Sequence, residues 1–271
     1  SHIGRFSNAV LNPKSELTDA QMSTNSFSWA FDNIGNRQTA TENAEQKTYT
    51  ANSLNQYTQI TNGGLKTLGY DLDGNMTNDS VQAYFWDAEN RLVRVEPLSP
   101  TNGAKRVRNV YDYMSRRVEK AVDEWDGSAW IAISTNRFMW DGWLPVQEIV
   151  TSESSVATNA WTWGLDLSGS LQGAGGIGGL LAWNRSGDDA TLSYLADPNG
   201  NITDLAGTNG SSAAHYEFDA YGNLLASFGV EAQNNRFLFS SKYWDSEIHP
   251  ADNAPGIGDW GYRWFNGDRF M

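Results

Sequence analysis

The sequence contains no cysteine and few basic residues, and both shortages restrict what the protein can be. Without cysteine no disulfide forms, so stability has to come from packing and strand pairing. Lysine and arginine number 19 against 32 aspartates and glutamates, which gives a net charge of −13 at pH 7. So acidic a chain lacks the basic face that nucleic acids and anionic membranes require, and the sequence therefore predicts neither partner.

Metal-binding residues and long apolar runs are also scarce. The histidines His2, His215 and His249 are far apart in the sequence. Because structural zinc sites are built mainly from clustered cysteine and histidine, we expect no metal, and the sequence indicates no other cofactor. No apolar run reaches the 18 or more residues of a membrane-spanning helix, so we expect no membrane insertion. No segment has a helical period, so very little helix is expected.

What the chain does contain is a repeated frame rich in aromatic residues, which make up 13% of the sequence. The frame is an aromatic residue, an aspartate, two variable residues, a glycine, asparagine or serine, a polar residue and usually an aliphatic one. Six copies lie at residues 31–37, 70–76, 86–92, 111–117, 196–202 and 218–224, the fourth looser and the fifth without the aromatic residue. Six copies in one frame constitute an internal repeat, which has to be interpreted before any single motif.

The physical logic of this frame is that of a β-hairpin. The aspartate accepts hydrogen bonds from backbone amides of the turn, and the fifth position, Gly74 or Gly222 for example, is expected to have positive φ. Asp-Gly and Gly-Asn steps between β-prone runs are the strongest short-range hairpin signal. The sequence therefore predicts an all-β protein of repeated antiparallel hairpins. These would form a curled, twisted sheet, either a partial shell or a small closed barrel.

The Tyr-Asp frame resembles that of the Rhs/YD-repeat proteins. Residues 237–245 and 261–265 are similar to the start of the Rhs-associated core domain that closes such repeat regions. The resemblance implies a long sheet spiralling into a hollow shell that encloses toxin domains or supports surface-recognition modules, outside the cell or at its surface. It divides the chain into a repeat region, 1–245, and a truncated core-like segment, 246–271, packed on the same sheet.

The end of the chain departs from this family pattern. After residue 245 the usual acidic turn and tyrosine run is replaced by Ser-Glu-Ile-His-Pro. Core domains of the family commonly continue into an aspartate-based self-cleaving region and a variable effector. Because the sequence stops just past the Tyr-Arg-aromatic motif, we expect neither activity within these residues.

Paired carboxylates near tryptophans are the one constellation that suggests catalysis. Glycoside cleavage needs two acids about 5 to 10 Å apart and an aromatic platform. Glu148 and Asp166 lie outside the repeated frame, near Trp143, Trp161 and Trp163 in sequence. The alternative is that both are solvated carboxylates of strands and loops. Trp161 and Trp163 are two residues apart and share one sheet face, which is either core or a strip on which sugars stack.

The function expected from the sequence is non-catalytic. We predict a repeat-shell or scaffold fragment that also serves as a binding module for surface carbohydrate. The alternative is a glycoside hydrolase with Glu148 and Asp166 as catalytic residues and Trp143, Trp161 and Trp163 as binding residues.

A glycine-rich stretch at residues 173–179 lacks the Gly-Lys-Ser/Thr ending of a phosphate loop. We expect its glycines to allow close backbone packing or to bend the sheet.

Overall fold

The computed structural model describes residues 8–11, 25–186, 190–248, 255–267 and 269–271. It divides into two compact units, Ser1–Ser80 and Val81–Met271. The boundary that the sequence pattern suggests, between residues 245 and 246, falls inside the second unit. It marks a change of motif and stays a prediction, and part of the segment 246–271 lies outside the described residues.

The first unit consists of short antiparallel strands joined in sequence order. Six of its strands form one sheet, in which each pairs with the next. They are β1 (Asn8–Leu11), β2 (Asn25–Phe31), β3 (Arg37–Glu42), β4 (Glu45–Ala51), β5 (Tyr57–Thr61) and β6 (Leu65–Thr67). A hairpin of β7 (Gly69–Tyr70) and β8 (Met76–Asn78) follows.

The second unit carries a larger antiparallel sheet in which each strand again pairs with the next, from β9 to β20. Its strands are β9 (Gln82–Trp86), β10 (Leu92–Pro97), β11 (Lys105–Tyr111), β12 (Arg117–Trp125), β13 (Trp130–Asp141), β14 (Leu144–Ser152), β15 (Val156–Trp163), β16 (Leu180–Arg185), β17 (Ala190–Ala196), β18 (Ile202–Gly207), β19 (Ser212–Phe218) and β20 (Leu224–Phe228). The strand order is linear, so the all-β prediction is confirmed in its open form and the closed alternative is wrong.

The C-terminal segment, taken in the structure from residue 237 to the end of the chain, packs against this sheet. Its described residues contain one 3-10 turn, Phe239–Ser241, and three short strands, β21 (Tyr243–Asp245), β22 (Ile257–Asp259) and β23 (Trp264–Phe265). Buried side chains from the sheet, such as Phe138 and Trp183, form one cluster with Phe237 and Trp244 of the segment. No helix in the described part of the chain has the length and apolar character to span a bilayer.

The repeated frame forms the turns that the sequence predicts. Asp71 shows the arrangement: its Oδ1 accepts the backbone N–H groups of Asp73 at 3.0 Å and Asn75 at 2.8 Å. Its Oδ2 accepts the side-chain amide of Asn75 at 3.0 Å. Burial opposes ionisation of Asp71, but these hydrogen bonds outweigh it and lower its pKa. The same two backbone bonds recur at the aspartates of the other copies, Asp32, Asp87, Asp112, Asp197 and Asp219.

The fifth position of the frame has positive φ, as predicted: φ is 91° at Gly74 and 85° at Gly222. The other copies agree, with positive φ at Gly35, Asn90, Ser115 and Gly200. Asparagine or serine therefore replaces glycine where the strain of this backbone conformation is tolerated.

Valine at either glycine is expected to destabilise its unit, by about 1 to 3 kcal/mol from backbone strain alone. Gly222→Val should cost more than Gly74→Val. A Cβ at Gly222 would lie 2.7 Å from ring carbons of Phe239, whereas a Cβ at Gly74 would approach only Gln56 Nε2, at 3.5 Å. Urea melts of the two variants and the parent check this. An unchanged midpoint for Gly222→Val would contradict the turn assignment.

Candidate functional site

The C-terminal segment is attached to the sheet by buried ion pairs. Asp245, at the end of β21, is fully buried between two cations of β12, Arg117 and Lys120. Arg117 Nη1 lies 2.5 Å from Asp245 Oδ2, and Lys120 Nζ lies 3.1 Å from Asp245 Oδ1. Because buried charges are tolerated only when paired, these contacts tie the segment to one position on the sheet.

Two further carboxylates of the segment extend this cluster. Glu247 Oε1 lies 3.2 Å from Lys120 Nζ and 3.0 Å from Arg236 Nη2. Burial opposes ionisation of Glu247, but the two cations outweigh it and lower its pKa to about 2. Asp259 Oδ2 lies 3.3 Å from Arg117 Nε. At Asp259, burial opposes ionisation more strongly than Arg117 favours it, so the pKa of Asp259 is raised.

Glu148 is also buried, at 1% exposure, in the middle of β14. Its Oε1 accepts hydrogen bonds from Asn136 Nδ2 and from the Tyr243 hydroxyl, both at 2.6 Å. Its Oε2 accepts from Asn159 Nδ2 at 2.8 Å. The carboxylate therefore links three strands, β13, β14 and β15, to β21 of the C-terminal segment.

Asp166 lies in the loop after β15, where it organises the glycine-rich stretch. Its Oδ1 accepts the backbone N–H and hydroxyl of Ser168, at 2.9 and 2.6 Å. Its Oδ2 accepts the N–H groups of Ala174 at 2.7 Å and Gly176 at 3.1 Å. Burial opposes ionisation, but these bonds prevail and lower its pKa to about 2. Asp166 shares none of these partners with Glu148, and the catalytic assignment of the pair stays a prediction.

The three tryptophans singled out in the sequence have two different environments. Trp161 is 6% exposed and belongs to the core, with its ring centroid 4.9 Å from that of Phe237. Trp143 and Trp163 are half-buried and line a cavity of about 260 Å³. Trp163 donates its indole N–H to the carbonyl of Pro145 at 2.9 Å. Trp143 packs against Tyr262, with ring centroids 5.0 Å apart. Their assignment as binding residues stays a prediction.

The cavity lies where β13, β14 and β15 face the C-terminal segment, and it combines aromatic walls with charged groups. Trp140 and Trp260 complete the aromatic wall, and Arg116, Lys242 and Asp259 line it too. Gly175 of the glycine-rich stretch also lines the cavity. A Cβ on Gly176 would lie 2.5 Å from Leu144 Cδ2, which agrees with the close packing expected of these glycines.

The described residues contain no group of three or more His, Cys, Asp or Glu side chains that could hold a metal ion. His215 Nδ1 lies 2.7 Å from Asp204 Oδ1. His2 and His249 lie outside the described residues.

Sequence reasoning missed the residues that hold this region together: Arg117, Lys120, Asp245 and Lys242. One of them had a visible signal. Arg117 occupies the seventh position of the repeated frame, where four of the six copies have an aliphatic residue or methionine and only Arg37 is another cation, and Arg117 is 2% exposed. A buried cation at a position that is mostly apolar indicates a buried partner of opposite charge.

The fold of the chain is similar to that of parts of much longer chains in solved structures. Solved structures with a similar fold include a TcdB2-TccC3 complex, with a TM-score of 0.51 and 14% identity over 97% of this chain and 17% of that one. Another is the Tc holotoxin pore of Photorhabdus luminescens, with a TM-score of 0.52 and 14% identity over 96% of this chain and 16% of that one. At such low identity the likeness shows the fold alone.

Curated proteins that resemble the chain in sequence include two WapA nucleases of Bacillus. The tRNA3(Ser)-specific nuclease WapA of Bacillus spizizenii is 25% identical over 221 residues, which are 81% of this chain and 8% of the relative. The tRNA nuclease WapA of Bacillus subtilis strain 168 has the same identity and coverage. The chain thus spans less than a tenth of the length of these relatives. No family model matches the chain.

These relatives overturn two expectations from the sequence. The predicted function, a non-catalytic shell fragment that binds carbohydrate or alternatively a glycoside hydrolase, is wrong, because the relatives are named tRNA nucleases. The exclusion of nucleic acid in favour of a glycan partner is wrong for the same reason. The net charge of −13 describes these 271 residues only, whereas a long protein can bind nucleic acid through another part of its chain.

Proposed function

We propose that this chain is a segment of an Rhs/YD-repeat toxin that cleaves tRNA. The observation that carries the proposal is the similarity to WapA nucleases over 81% of the chain. The fold supports it, since the chain resembles proteins of Tc toxin assemblies over nearly its whole length. Under this proposal the protein works outside the cell that makes it or at that cell's surface.

The buried ion cluster gives the segment a defined part in such a toxin. Asp245, Glu247 and Asp259 all lie in the last tenth of the chain, and cations of the repeat region hold them. Because breaking a buried pair is costly, the C-terminal segment keeps a fixed place on the sheet.

The test is tRNA cleavage by the natural protein that includes this chain, with residues 1–271 assayed beside it. Total tRNA is incubated with each and resolved on a denaturing gel, and a DNA oligonucleotide of similar length is the control substrate. The natural protein is expected to give discrete tRNA fragments. Intact tRNA after incubation with correctly folded protein would overturn the proposal.

The same assay tests the two carboxylates. If cleavage is found in residues 1–271 themselves, Glu148→Gln and Asp166→Asn show whether either acid takes part. A general acid or base contributes about 100-fold or more to the rate, so its loss is readily seen. Circular dichroism of each variant separates a chemical effect from misfolding.

A further inference from the structure

Lys242 is a cation of the cavity without a matching anion. It lies at the start of the C-terminal strands and lines the cavity, half-buried. Its Nζ donates a hydrogen bond to the carbonyl oxygen of Gly175 at 2.7 Å. No carboxylate of the described residues forms an ion pair with it. An ammonium group has three donor hydrogens, so two remain for another acceptor.

The other charges around the cavity are already paired. Arg116 Nη2 lies 2.7 Å from Asp112 Oδ2, and Asp245 and Asp259 pair with Arg117. Asp259 also accepts the backbone N–H of Gly261 at 2.8 Å. The three other charged groups of the wall, Arg116, Arg117 and Asp259, thus each have an ion-pair partner, whereas Lys242 has none among the described residues.

A lysine without an ion-pair partner is unusual in a protein with 32 acidic and 19 basic residues. Burial lowers the pKa of Lys242, and Asp259 and Asp166 only partly offset that effect. A half-buried lysine without a partner carboxylate costs free energy, and a bound anion would recover it.

The rest of the cavity suits a planar ring. Trp143 and Tyr262 meet at an angle of 51°, and Tyr262 is 71% exposed and so accessible from solvent. Trp140 donates its indole N–H to the carbonyl of Arg117, and Trp163 donates its indole N–H to the carbonyl of Pro145. Because these polar groups are already hydrogen-bonded, both rings present mainly apolar surface to the cavity. Aromatic rings favour stacked or edge-to-face contact with another ring. A volume of about 260 Å³ limits the ligand to one or two fused rings with a short substituent.

We propose that this cavity binds a small aromatic anion, with its ring among Trp143, Trp163 and Tyr262 and its carboxylate or phosphate on Lys242. A cationic ligand would be repelled by Lys242 and would find no unpaired carboxylate in the wall. A neutral ring would leave the ammonium group of Lys242 without an anion. The site is separate from tRNA cleavage and does not rest on the proposed nuclease function.

The test is isothermal titration calorimetry of the 271-residue chain with matched probes. Indole-3-propionate supplies the carboxylate and phenyl phosphate the phosphate, while 3-methylindole, phenol and tryptamine are the neutral and cationic controls. A hydrogen bond to a charged group is worth about 1.5 to 3 kcal/mol, so an anion should bind about 10- to 100-fold more tightly than its neutral analogue. The two anionic arms show which acid group the cavity prefers.

Variants locate the binding. Lys242→Met should abolish the preference for the anion, and Tyr262→Ala, at an exposed position, should weaken binding of every ring without unfolding the chain. Lys105→Met is the matched control, since Lys105 pairs with Glu124 away from the cavity and its loss should leave affinity unchanged. No saturable binding at about 5 mM probe, or equal affinity for neutral and anionic probes, would overturn the proposal. So would an unchanged anion preference in a folded Lys242→Met protein.

Discussion

Replacing Asp245 by alanine is expected to lower the free energy of unfolding of the Val81–Met271 unit by about 3 to 5 kcal/mol, as loss of one partner of a buried ion pair does. The carboxylate is fully buried and contacts both Arg117 and Lys120. Its removal leaves Lys120 with Glu247 alone and Arg117 with Asp259 alone. Asp245→Asn should cost nearly as much, because it keeps the shape but not the charge.

Urea melts of this unit followed by near-ultraviolet circular dichroism measure the loss. Glu153→Ala is the matched control: this glutamate is exposed in the turn after β14, so its loss should change stability by less than about 0.5 kcal/mol. If Asp245→Ala melted together with Glu153→Ala, the ion cluster would not be what holds the C-terminal segment to the sheet.

The turns could be predicted from the sequence because their determinants are local. The aspartate of each frame bonds to amides two and four residues later, and the fifth residue takes positive φ within the same seven residues. Such short-range geometry depends little on the rest of the chain. With hairpins following one another, an open sheet in sequence order is the simplest arrangement.

The ion cluster and the cavity could not be predicted in the same way. Arg117 and Asp245 are 128 residues apart, and the sequence carries no periodic signal that would join them. Gly175 of the glycine-rich stretch and Lys242, which meet at the cavity, are 67 residues apart. Glu148 and Asp166 lie near tryptophans in the sequence, but the structure gives the two carboxylates different sets of partners, and their catalytic assignment stays a prediction.

Function was misjudged for a different reason. Net charge is a property of the residues that are counted, and the relatives contain more than ten times as many residues as match here. An argument from the charge of one segment therefore cannot exclude a partner for the whole protein. The sequence leaves the face of Trp161 and Trp163 open between core and a sugar-stacking strip, and in the structure Trp161 belongs to the core between the sheet and the C-terminal segment.

Trp161 shows this packing most directly, and its replacement by alanine is expected to cost about 3 to 5 kcal/mol, as large-to-small changes in a core do. Its ring is 6% exposed, and its centroid lies 4.9 Å from that of Phe237 and 6.4 Å from that of Tyr243. It also lies opposite Trp183 of the neighbouring strand. Alanine would therefore leave a cavity between the sheet and the C-terminal segment.

Trp163→Ala tests the cavity wall by comparison with the core. Trp163 lies on the same strand as Trp161, but its side chain is only half-buried. We expect a smaller loss, about 1 to 2 kcal/mol, from the reduced burial and the lost hydrogen bond to Pro145. Leu195→Ala is the control for an aliphatic side chain that is 50% exposed on the sheet, and it should cost less than about 0.5 kcal/mol. The order Trp161, Trp163, Leu195 in urea melts is thus the expected result. A Trp161→Ala protein as stable as Leu195→Ala would show that this face of the sheet is not core.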